Sequence, residues 1–290
     1  MEKFKLDVES QKNWNNNGYL HLKNVLSSTE IESMVGAVDQ ILKEYSGNKE
    51  KFENTETKPS FLGNHGAEFF NILQAIEHTE AFDVLLDHPK VFDKIVALVG
   101  PYLQVLGVDV FIRKPNQSLS DLCRFHTDGG PALQQFQPVE GMPILQLKVQ
   151  FFLTDVPGEN WGNFTLIPKS HKVPVNDYHP NCLIPSCNAY VEKGEMPPDA
   201  KQLIVEAGDV SIHPWSLWHA VAPNRSDCVR KSVSVRYGQF WCRPYFKELS
   251  STVRSRVSPR QLRLLGDLGK DPQPNAFYTP QNQRELMGVC

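Results

Sequence analysis

The sequence lacks three features that would assign it to common functional classes. It has no apolar stretch long enough to cross a bilayer, so no membrane-spanning segment is expected. Its net charge of -3 shows no basic excess of the kind that nucleic-acid binding favours. The polar residues 1–17 lack the apolar run of a secretory signal. We therefore expect a cytoplasmic protein without a nucleic-acid or membrane partner.

Cysteine is also scarce and irregularly placed. None of the six cysteines belongs to a Cys-x-x-Cys pair, the spacing that is typical of redox and zinc motifs. Without an export signal, we expect all six to be reduced thiols. They therefore predict neither a disulfide framework nor a metal site.

The sequence does contain enough apolar material for one large core. Hydrophobic residues make up 40% of the 290 positions, and one domain of this length is ordinary for sandwich and barrel architectures. No internal repeat or low-complexity linker divides the chain. We expect a single domain over 1–290, with a helical part at about 1–100, a β core at about 101–245 and a C-terminal extension at about 246–290.

The first hundred residues are predicted to be mainly helical after one short strand at Gly18–Leu22. Ser27 and Glu30 have the spacing of a capping box, and the apolar residues that follow recur at helical intervals. Residues 46–66 are polar and predict a loop. Proline at a helix start and glycine at a helix end help to define two more helices, Thr79–Asp87 and Pro89–Gly100.

From residue 101 the pattern changes to short β-branched and aromatic runs separated by Gly, Pro, Asn and Asp. Such runs without intervening helices predict a sandwich, barrel or jelly roll. The predicted strands are Leu103–Arg113, Gln146–Thr154, Phe164–Pro168, Leu203–Glu206 and Lys231–Trp241. Residues 172–200 show little pattern, and a loop of this length is a candidate lid. In the extension, Ser258 and Pro259 predict a helix start.

The residues that carry chemistry begin with His126-Thr127-Asp128. On an extended segment, residues i and i+2 point to the same side, so His126 and Asp128 can bind one metal ion together. A second imidazole from elsewhere in the fold would complete a set of two histidines and one carboxylate. That set leaves three coordination positions open and suits non-haem Fe(II). His219 is the candidate for the second imidazole, and His213 is its rival.

Together these residues resemble the phytanoyl-CoA dioxygenase family of Fe(II)- and 2-oxoglutarate-dependent oxygenases. The resemblance spans residues 12–245 with matching order and spacing. It is carried by Gly18-Tyr19-Leu20 before a capped helix, His126-Thr127-Asp128, Gly162-Asn163-Phe164-Thr165-Leu166-Ile167-Pro168-Lys169-Ser170-His171, Gly208-Asp209, His219-Ala220, Asn224 and Arg230. It implies a mainly β fold with flanking helices around a double-stranded β-helix, which is a jelly roll of the cupin type.

The resemblance implies a role for each matching position. His126, Asp128 and His219 match the metal ligands, which makes His213 a core or supporting histidine. Arg230 matches the arginine that binds the distal carboxylate of 2-oxoglutarate, and a guanidinium can hold a carboxylate through two parallel hydrogen bonds. The implied cofactors are Fe(II), 2-oxoglutarate as cosubstrate, and O2. Zinc could use the same three ligands, but it would leave Arg230 without a purpose.

The chain departs from the family pattern in two places. Lys169 replaces the glycine of the usual Pro-Gly-Ser-His turn, and a positive φ at that position would cost strain. Val221 stands where some relatives have a hydroxyl that helps to hold 2-oxoglutarate. Another polar group must then assist Arg230, and Thr165 is one candidate.

A third feature of the core is a predicted strand in which Gln146, Lys148 and Gln150 alternate with apolar residues. Two interpretations are open. These side chains form a solvated face, or some of them contact 2-oxoglutarate or the substrate. Under the second interpretation, Lys148 and Gln150 join Arg230 and Thr165 as predicted cofactor-binding residues.

The reaction implied by the resemblance is oxidation of an unactivated C–H bond, with hydroxylation as the default and with release of succinate and CO2. Related halogenases have Gly or Ala in place of Asp128, so halogenation is not expected. Desaturation, epoxidation and oxidative cyclisation use the same ligands and stay open. The predicted substrate is a small molecule, a natural-product or amino-acid-derived metabolite, and either a monomer or a homodimer is compatible with the sequence.

Two alternatives belong to other functional classes. One is a cupin dioxygenase that binds its substrate directly to iron without a 2-oxo acid, and the other is an inactive binding scaffold. Arg230 separates them from the main hypothesis, because neither alternative needs a guanidinium for a 2-oxo acid. Loss of 2-oxoglutarate binding in Arg230→Ala would favour the oxygenase.

Overall fold

The computed structural model describes residues 4–47, 61–62, 69–116, 124–136, 138, 141–174, 182–245, 248–269, 275 and 279–289. Most of the loop predicted at 46–66 and residues 175–181 of the candidate lid lie outside these residues, as do Cys123 and Cys290. Cysteines 182, 187, 228 and 242 are free. Within the described chain, no helix combines the length and apolarity needed to cross a membrane.

Antiparallel strands form two sheets in the described residues. The larger sheet contains β1 (Leu20–Leu22), β2 (Phe61–Leu62), β3 (Phe69–Ile72), β4 (Leu103–Arg113), β5 (Gln146–Phe152), β8 (Val210–Pro214) and β10 (Arg230–Gln239). Its strand order is β1-β8-β5-β10-β4-β3-β2. The smaller sheet, in the order β7-β6-β9, contains β6 (Phe164–Leu166), β7 (Lys201–Gln202) and β9 (His219–Val221). The ring of Phe164 stacks on that of His213 in the larger sheet, with centroids 4.6 Å apart, so the two sheets face each other.

The helices of the described chain lie mainly before β4 and after β10. They are α1 (Val8–Asn17), α2 (Ser28–Gly47), α3 (Phe92–Val99), α4 (Gly130–Gln134), α5 (Pro185–Val191), α6 (Ser251–Arg256), α7 (Pro259–Leu264) and α8 (Gln283–Leu286), with 3-10 turns at Ala75–Glu77, Glu80–Asp87 and Ser170–Lys172. The predicted capping box begins α2. The Glu30 carboxylate accepts from the Ser27 amide at 2.8 Å, and the Ser27 hydroxyl accepts from the Glu30 amide at 3.3 Å.

The two faces of the larger sheet differ in polarity because side chains alternate along each strand. On the outer face, Val149, Ile212 and Val235 pack with α2, α3 and the 3-10 turns in the main hydrophobic core. We call the opposite face, which is turned toward the smaller sheet, the inner face. It carries the polar residues Gln146, Lys148, Gln150, Ser211, His213, Arg230, Ser232, Ser234 and Arg236.

Several sequence predictions are confirmed by these elements. The strand at Leu103–Arg113 has the predicted bounds, and β1 lies inside the predicted Gly18–Leu22. The helix before β4 ends at Gly100 as expected, where φ is +91°. The helix start predicted at Ser258 is also present, with a capping box and Pro259 in the first turn.

Other predictions are wrong wholly or in part. The helix predicted at Thr79–Asp87 is present as a 3-10 helix over Glu80–Asp87. The next helix, α3, begins at Phe92 rather than at the predicted Pro89, because residues 89–91 form a turn. The strand predicted at Leu203–Glu206 lies earlier, at Lys201–Gln202, and Val205 makes only an isolated bridge to Val156. The short strands β2, β3, β8 and β9 were not expected, and β2 lies inside the loop predicted at 46–66.

The first hundred residues are more than a helical cap on the β core. Strand β1 pairs with β8, and β3 pairs with β4, so the larger sheet crosses the boundary expected at residue 100. The buried Asp209 carboxylate holds β1 beside β8. It accepts from the Lys23 ammonium at 2.7 Å and from the Asn24 amide at 3.1 Å, and it lies 2.9 Å from His21 Nε2.

The described part of the C-terminal extension packs on the helical side of the sheet. Arg256 Nε donates to Asp83 Oδ2 at 2.6 Å, and Gln261 Nε2 donates to Asp87 Oδ1 at 2.8 Å. Both acceptors belong to the 3-10 helix Glu80–Asp87, which itself packs in the main core. The extension therefore stabilises the outer side of the fold.

Lys169, which replaces the glycine of the usual turn, adopts a strained backbone conformation with positive φ. Its φ is +71°, in the left-handed region, and its backbone amide donates to the Asn17 carbonyl at 3.1 Å. A left-handed L-residue costs about 1–2 kcal/mol, whereas glycine adopts this region readily. The exposed lysine side chain makes no compensating buried contact.

We therefore expect Lys169→Gly to raise the free energy of unfolding by about 1 kcal/mol, because the relief of strain exceeds the added entropy of the unfolded chain. Urea denaturation measures the change. Lys172→Gly is the matched control, an exposed lysine in the same turn without positive φ, and it should lower stability. Equal or reversed effects of the two changes would contradict the strain argument.

Candidate metal centre

Three side chains with metal-binding atoms converge between the two sheets. His126 and His219 pair as an isolated antiparallel bridge. The His126 amide donates to the His219 carbonyl at 2.9 Å, and the His219 amide donates to the His126 carbonyl at 3.0 Å. Their ring centroids are 4.4 Å apart. One ligand atom from each of His126, Asp128 and His219 lies within 4.8 Å of the other two.

Both imidazoles are oriented to present Nε2 as the ligand atom. His126 Nδ1 lies 2.9 Å from the Arg124 carbonyl, and His219 Nδ1 lies 2.8 Å from the Leu217 carbonyl. Because a carbonyl oxygen only accepts, Nδ1 carries the proton and Nε2 keeps its lone pair. The buried His219 Nε2 has no hydrogen-bond partner in the described residues. Contacts of this kind fix metal-binding histidines, so the residues present fit a divalent ion.

The electrostatics of the site favour the protonation states that metal binding needs. Burial lowers the pKa of His126 and of His219, so both imidazoles stay neutral at physiological pH. Burial alone would raise the pKa of Asp128, but the nearby Lys148 ammonium holds that pKa well below its usual range. The site therefore offers two neutral imidazoles and one carboxylate.

Part of the candidate lid, residues 182–191, supports the segment that carries His126 and Asp128. The Thr127 amide donates to the Cys182 carbonyl at 3.0 Å. Asn188, buried on α5, holds the backbone of Phe125 from both sides. Its Oδ1 accepts from the Phe125 amide at 2.7 Å, and its Nδ2 donates to the Phe125 carbonyl at 2.9 Å. Residues 182–191 thus pack against the metal-binding segment.

Lys148 lies directly beside the metal-binding carboxylate. Its Nζ is 2.8 Å from Asp128 Oδ1 and 2.6 Å from Oδ2. The Lys148 side chain is only 12% exposed, and Gln146 and Gln150 are buried. These three residues therefore do not form a solvated face. They line the interior between the sheets, where contact with a ligand is geometrically possible.

His213 is a neighbour of the metal site rather than a member of the converging group. Its Nε2 is 3.9 Å from Asp128 Oδ2, and the corresponding distance from His219 is 3.7 Å. The fully buried His213 ring stacks on Phe164, and neither ring nitrogen has a hydrogen-bond partner in the described residues. Burial, aided by the Lys148 charge, lowers its pKa to about 3. It is thus a neutral ring beside the site, without the hydrogen bonds of a satisfied core histidine.

Arg230 begins β10 and is buried on the inner face. Its guanidinium carbon lies 5.4 Å from the centroid of the Phe152 ring. Gln150 lies on β5 opposite Ser234 of β10, so it stands between the levels of Lys148 and Arg230 along the sheet. Its Nε2 donates to Ser232 Oγ at 2.9 Å. The structure therefore places Arg230 and Gln150 on the same inner face as Lys148.

Thr165 is not brought to this interior. It pairs with Ala220, whereas His219 pairs with Leu166, so strand alternation directs Thr165 away from the side on which His219 lies. The Thr165 hydroxyl donates to the Asn163 carbonyl at 3.2 Å. Ala220 packs against α5 through Ile184 and Cys187 on this other side. The geometry therefore does not support Thr165 as a partner of Arg230.

Sequence reasoning missed two groups of residues that build the site. Ser232 and Ser234 lie on the inner face, and the alternation of polar and apolar residues over 230–236 was the signal that could have found them. Asn188 carried no such signal. Its role depends on a helix within a segment that showed no pattern.

Comparisons with known proteins agree with this architecture. A family model described as phytanoyl-CoA dioxygenase (PhyH) matches residues 14–232. Similar solved structures include SnoK, a non-haem α-ketoglutarate-dependent carbocyclase from nogalamycin biosynthesis, at 23% identity and a TM-score of 0.59, covering 88% of this chain and 92% of that one. Another is HygX from Streptomyces hygroscopicus with nickel and 2-oxoglutarate bound, at 17% identity and a TM-score of 0.60, covering 86% and 94%.

A third similar structure is the epimerase SnoN in complex with Fe3+, α-ketoglutarate and nogalamycin RO, at 21% identity and a TM-score of 0.57, covering 84% of this chain and 90% of that one. At such low identities these likenesses show the fold, and they confirm the expected jelly roll with flanking helices. No curated protein matches the sequence closely enough to identify a relative.

The two hydrogen bonds from Asn188 predict an effect on metal binding. We expect Asn188→Ala to weaken Co(II) binding by about tenfold, because residues that hold ligands in place commonly affect affinity by this much. Anaerobic titration followed by the Co(II) absorption spectrum measures it. The variant should also lose about 2 kcal/mol of stability, since buried backbone groups lose their partners.

Gln239→Ala is the control for a general loss of stability. Gln239 Nε2 donates to the Val99 and Ile144 carbonyls at 3.0 and 2.9 Å, at the far end of β10 from Arg230. This variant should be destabilised but should bind Co(II) as the wild type does. If both variants bind Co(II) equally, Asn188 has no specific role in placing the ligands.

Proposed function

Because this chain belongs to the phytanoyl-CoA dioxygenase family of Fe(II)- and 2-oxoglutarate-dependent oxygenases, we propose that it hydroxylates an unactivated C–H bond of a small molecule, a natural-product or amino-acid-derived metabolite. The observation that carries the proposal is the convergence of His126, Asp128 and His219 on an interior that also holds the buried Arg230. Three candidate metal ligands and a guanidinium that can bind a carboxylate thus lie in the same interior.

In this proposal His126 and His219 bind Fe(II) through Nε2, and Asp128 binds it through a carboxylate oxygen. Three protein ligands leave three positions for other molecules. With 2-oxoglutarate and O2, the bound ion supplies the oxidising chemistry, and the cosubstrate leaves as succinate and CO2. The backbone carbonyls of Arg124 and Leu217 keep both imidazoles in the tautomer that binds metal.

Arg230 is proposed to bind the distal carboxylate of 2-oxoglutarate. Its guanidinium can form two parallel hydrogen bonds with that group, and burial strengthens them by excluding water. Val221 offers no hydroxyl, and Thr165 lies on the other side of β6. Ser232, two residues from Arg230 on the same face, is the hydroxyl best placed to assist, and Gln150 orients it through their hydrogen bond.

Hydroxylation is proposed as the default reaction, and the ligand set argues only against halogenation. Asp128 retains the carboxylate whose absence would open a position for halide. Similar structures include proteins named as a carbocyclase and an epimerase, so cyclisation and other oxidations of a C–H bond are alternatives that product analysis separates. The chemistry requires that water be kept from the reacting groups, and Gln150, His213 and Arg230 on the inner face are buried.

The proposed centre predicts a spectroscopic response. Anaerobic addition of Fe(II) and 2-oxoglutarate should produce a weak visible charge-transfer band, because the cosubstrate chelates the metal. His219→Ala should abolish the band, since a ligand is lost. Arg230→Ala should weaken 2-oxoglutarate binding by about tenfold or more, because a charge-assisted pair is removed.

His21→Ala is the matched histidine control. His21 lies on β1 and contacts Asp209, not the metal-binding group. It should keep the band. A wild type that binds iron without producing a band with 2-oxoglutarate would contradict the cosubstrate assignment. A band that survives in His219→Ala would contradict the ligand assignment.

A further inference from the structure

The Lys148–Asp128 contact places an ammonium group at the carboxylate that would bind a metal ion. The ammonium lies within 2.8 Å of both carboxylate oxygens. Asp128 also belongs to the group of three residues that can hold an ion. A divalent ion and an ammonium at one small carboxylate repel each other, so the ion must displace Lys148 at least partly.

The residues around Lys148 limit the anionic groups with which its ammonium can pair. Across the larger sheet it lies opposite His213 on one side and opposite Arg236 on the other. Residues opposite one another in antiparallel strands have Cβ atoms about 5 Å apart, and like charges there are unfavourable. Arg236 already has its own counter-ion in the buried Asp109 carboxylate. Lys148 therefore has Asp128 as its carboxylate partner in the described residues.

An exposed aromatic residue, Tyr245, borders the inner face on the side of Lys148 toward Arg236. The Arg236 guanidinium carbon lies 4.8 Å from the centroid of the Tyr245 ring, which is 43% exposed. Gln146 Nε2 lies 3.2 Å from the Tyr245 hydroxyl. Arg230 lies six residues away on β10, roughly 20 Å along the strand at about 3.3 Å per residue. A cosubstrate that extends from the metal-binding residues toward Arg230 would leave the side toward Arg236 and Tyr245 for the primary substrate.

We propose that the Lys148 ammonium changes its partner when a metal ion binds, from the Asp128 carboxylate to a carboxylate of the substrate, and that it thereby selects an anionic substrate. A bound metal ion displaces its ammonium from Asp128, and the displaced ammonium then docks a carboxylate group of the primary substrate beside the metal. This inference rests on the proposed function and adds a substrate class to it. In the metal-free protein, the same ammonium neutralises Asp128 and holds the carboxylate in place.

The first test measures metal binding, which needs no substrate. Lys148→Met removes the charge and keeps the length of the side chain, so Co(II) should bind at least about tenfold more tightly without its competitor. Lys148→Arg keeps the charge and should bind Co(II) as the wild type does. Lys231→Met is the matched control, because Lys231 pairs with Asp39 at 2.6 Å on the outer face and should leave affinity unchanged. Unchanged or weaker binding in Lys148→Met would overturn the displacement.

The second test separates the two carboxylates that Lys148 could dock. In the Co(II) protein, 2-oxoglutarate affinity should change less than about threefold in Lys148→Met, whereas it should fall about tenfold in Arg230→Ala. A loss in Lys148→Met as large as that in Arg230→Ala would assign the ammonium to the cosubstrate and overturn the substrate role. Lys148→Gln serves as a second neutral variant if Lys148→Met fails to fold.

The third test uses acetate as the smallest carboxylate probe and acetamide as its neutral counterpart. With Co(II) and 2-oxoglutarate bound, acetate should perturb the Co(II) spectrum of the wild type, and Lys148→Met should lose that response while acetamide affects neither. No response of the wild type to acetate, or an equal response in Lys148→Met, would overturn the docking role. A wild type that does not bind 2-oxoglutarate at all would instead contradict the proposed function.

Discussion

The candidate site depends on one backbone contact, the antiparallel bridge between His126 and His219. Two amide–carbonyl hydrogen bonds of 2.9 and 3.0 Å join these segments, which are far apart in the chain. As a result, the imidazole ring centroids of His126 and His219 lie 4.4 Å apart. Asp128 then follows from strand alternation, which turns it to the same side as His126. The candidate ligand set is therefore positioned by main-chain geometry, and the carbonyls of Arg124 and Leu217 that contact the two imidazoles are main-chain groups as well. Asn188 extends this support by binding the backbone beside His126.

The larger sheet divides the tasks of stability and chemistry between its two faces. Its outer face packs on α2, α3 and the 3-10 turns, and each fully buried aliphatic or aromatic side chain there contributes about 1.5–3 kcal/mol. The same strands present polar residues to the interior. A shift of one residue in strand register would exchange the two faces, so the apolar core also specifies which side chains reach the metal-binding group. Asp209 helps to fix this register by holding β1 to β8.

Much of this could be predicted from the sequence, and the reason differs from part to part. His126 and Asp128 could be paired from their i and i+2 spacing, whereas His219 and Arg230 were assigned from the family resemblance of the surrounding motifs. Strand β4 was found because eleven residues of β-forming pattern leave little choice. Strands β8 and β9 are short, and β9 is only three residues long, so tertiary pairing rather than local preference forms them. Thr165 was selected on its hydroxyl alone, and only the pairing of β6 with β9 shows which way it points. The support from Asn188 needed the position of a helix that no periodicity indicated.

The inner face is a poor core, and that property suits a binding surface. Buried polar atoms without hydrogen-bond partners in the described residues include Ser211 Oγ, Ser234 Oγ and both ring nitrogens of His213. Each such atom costs about 1–3 kcal/mol of folding stability, which the outer face must offset. Because the fold already fixes these groups in position, a ligand that hydrogen-bonds to them does not have to order them. Donors fixed and desolvated in advance bind developing or permanent negative charge more strongly than mobile, hydrated ones. Under the proposed function, the apolar face supplies the stability that allows the inner face to keep polar groups available for anions near the metal-binding residues.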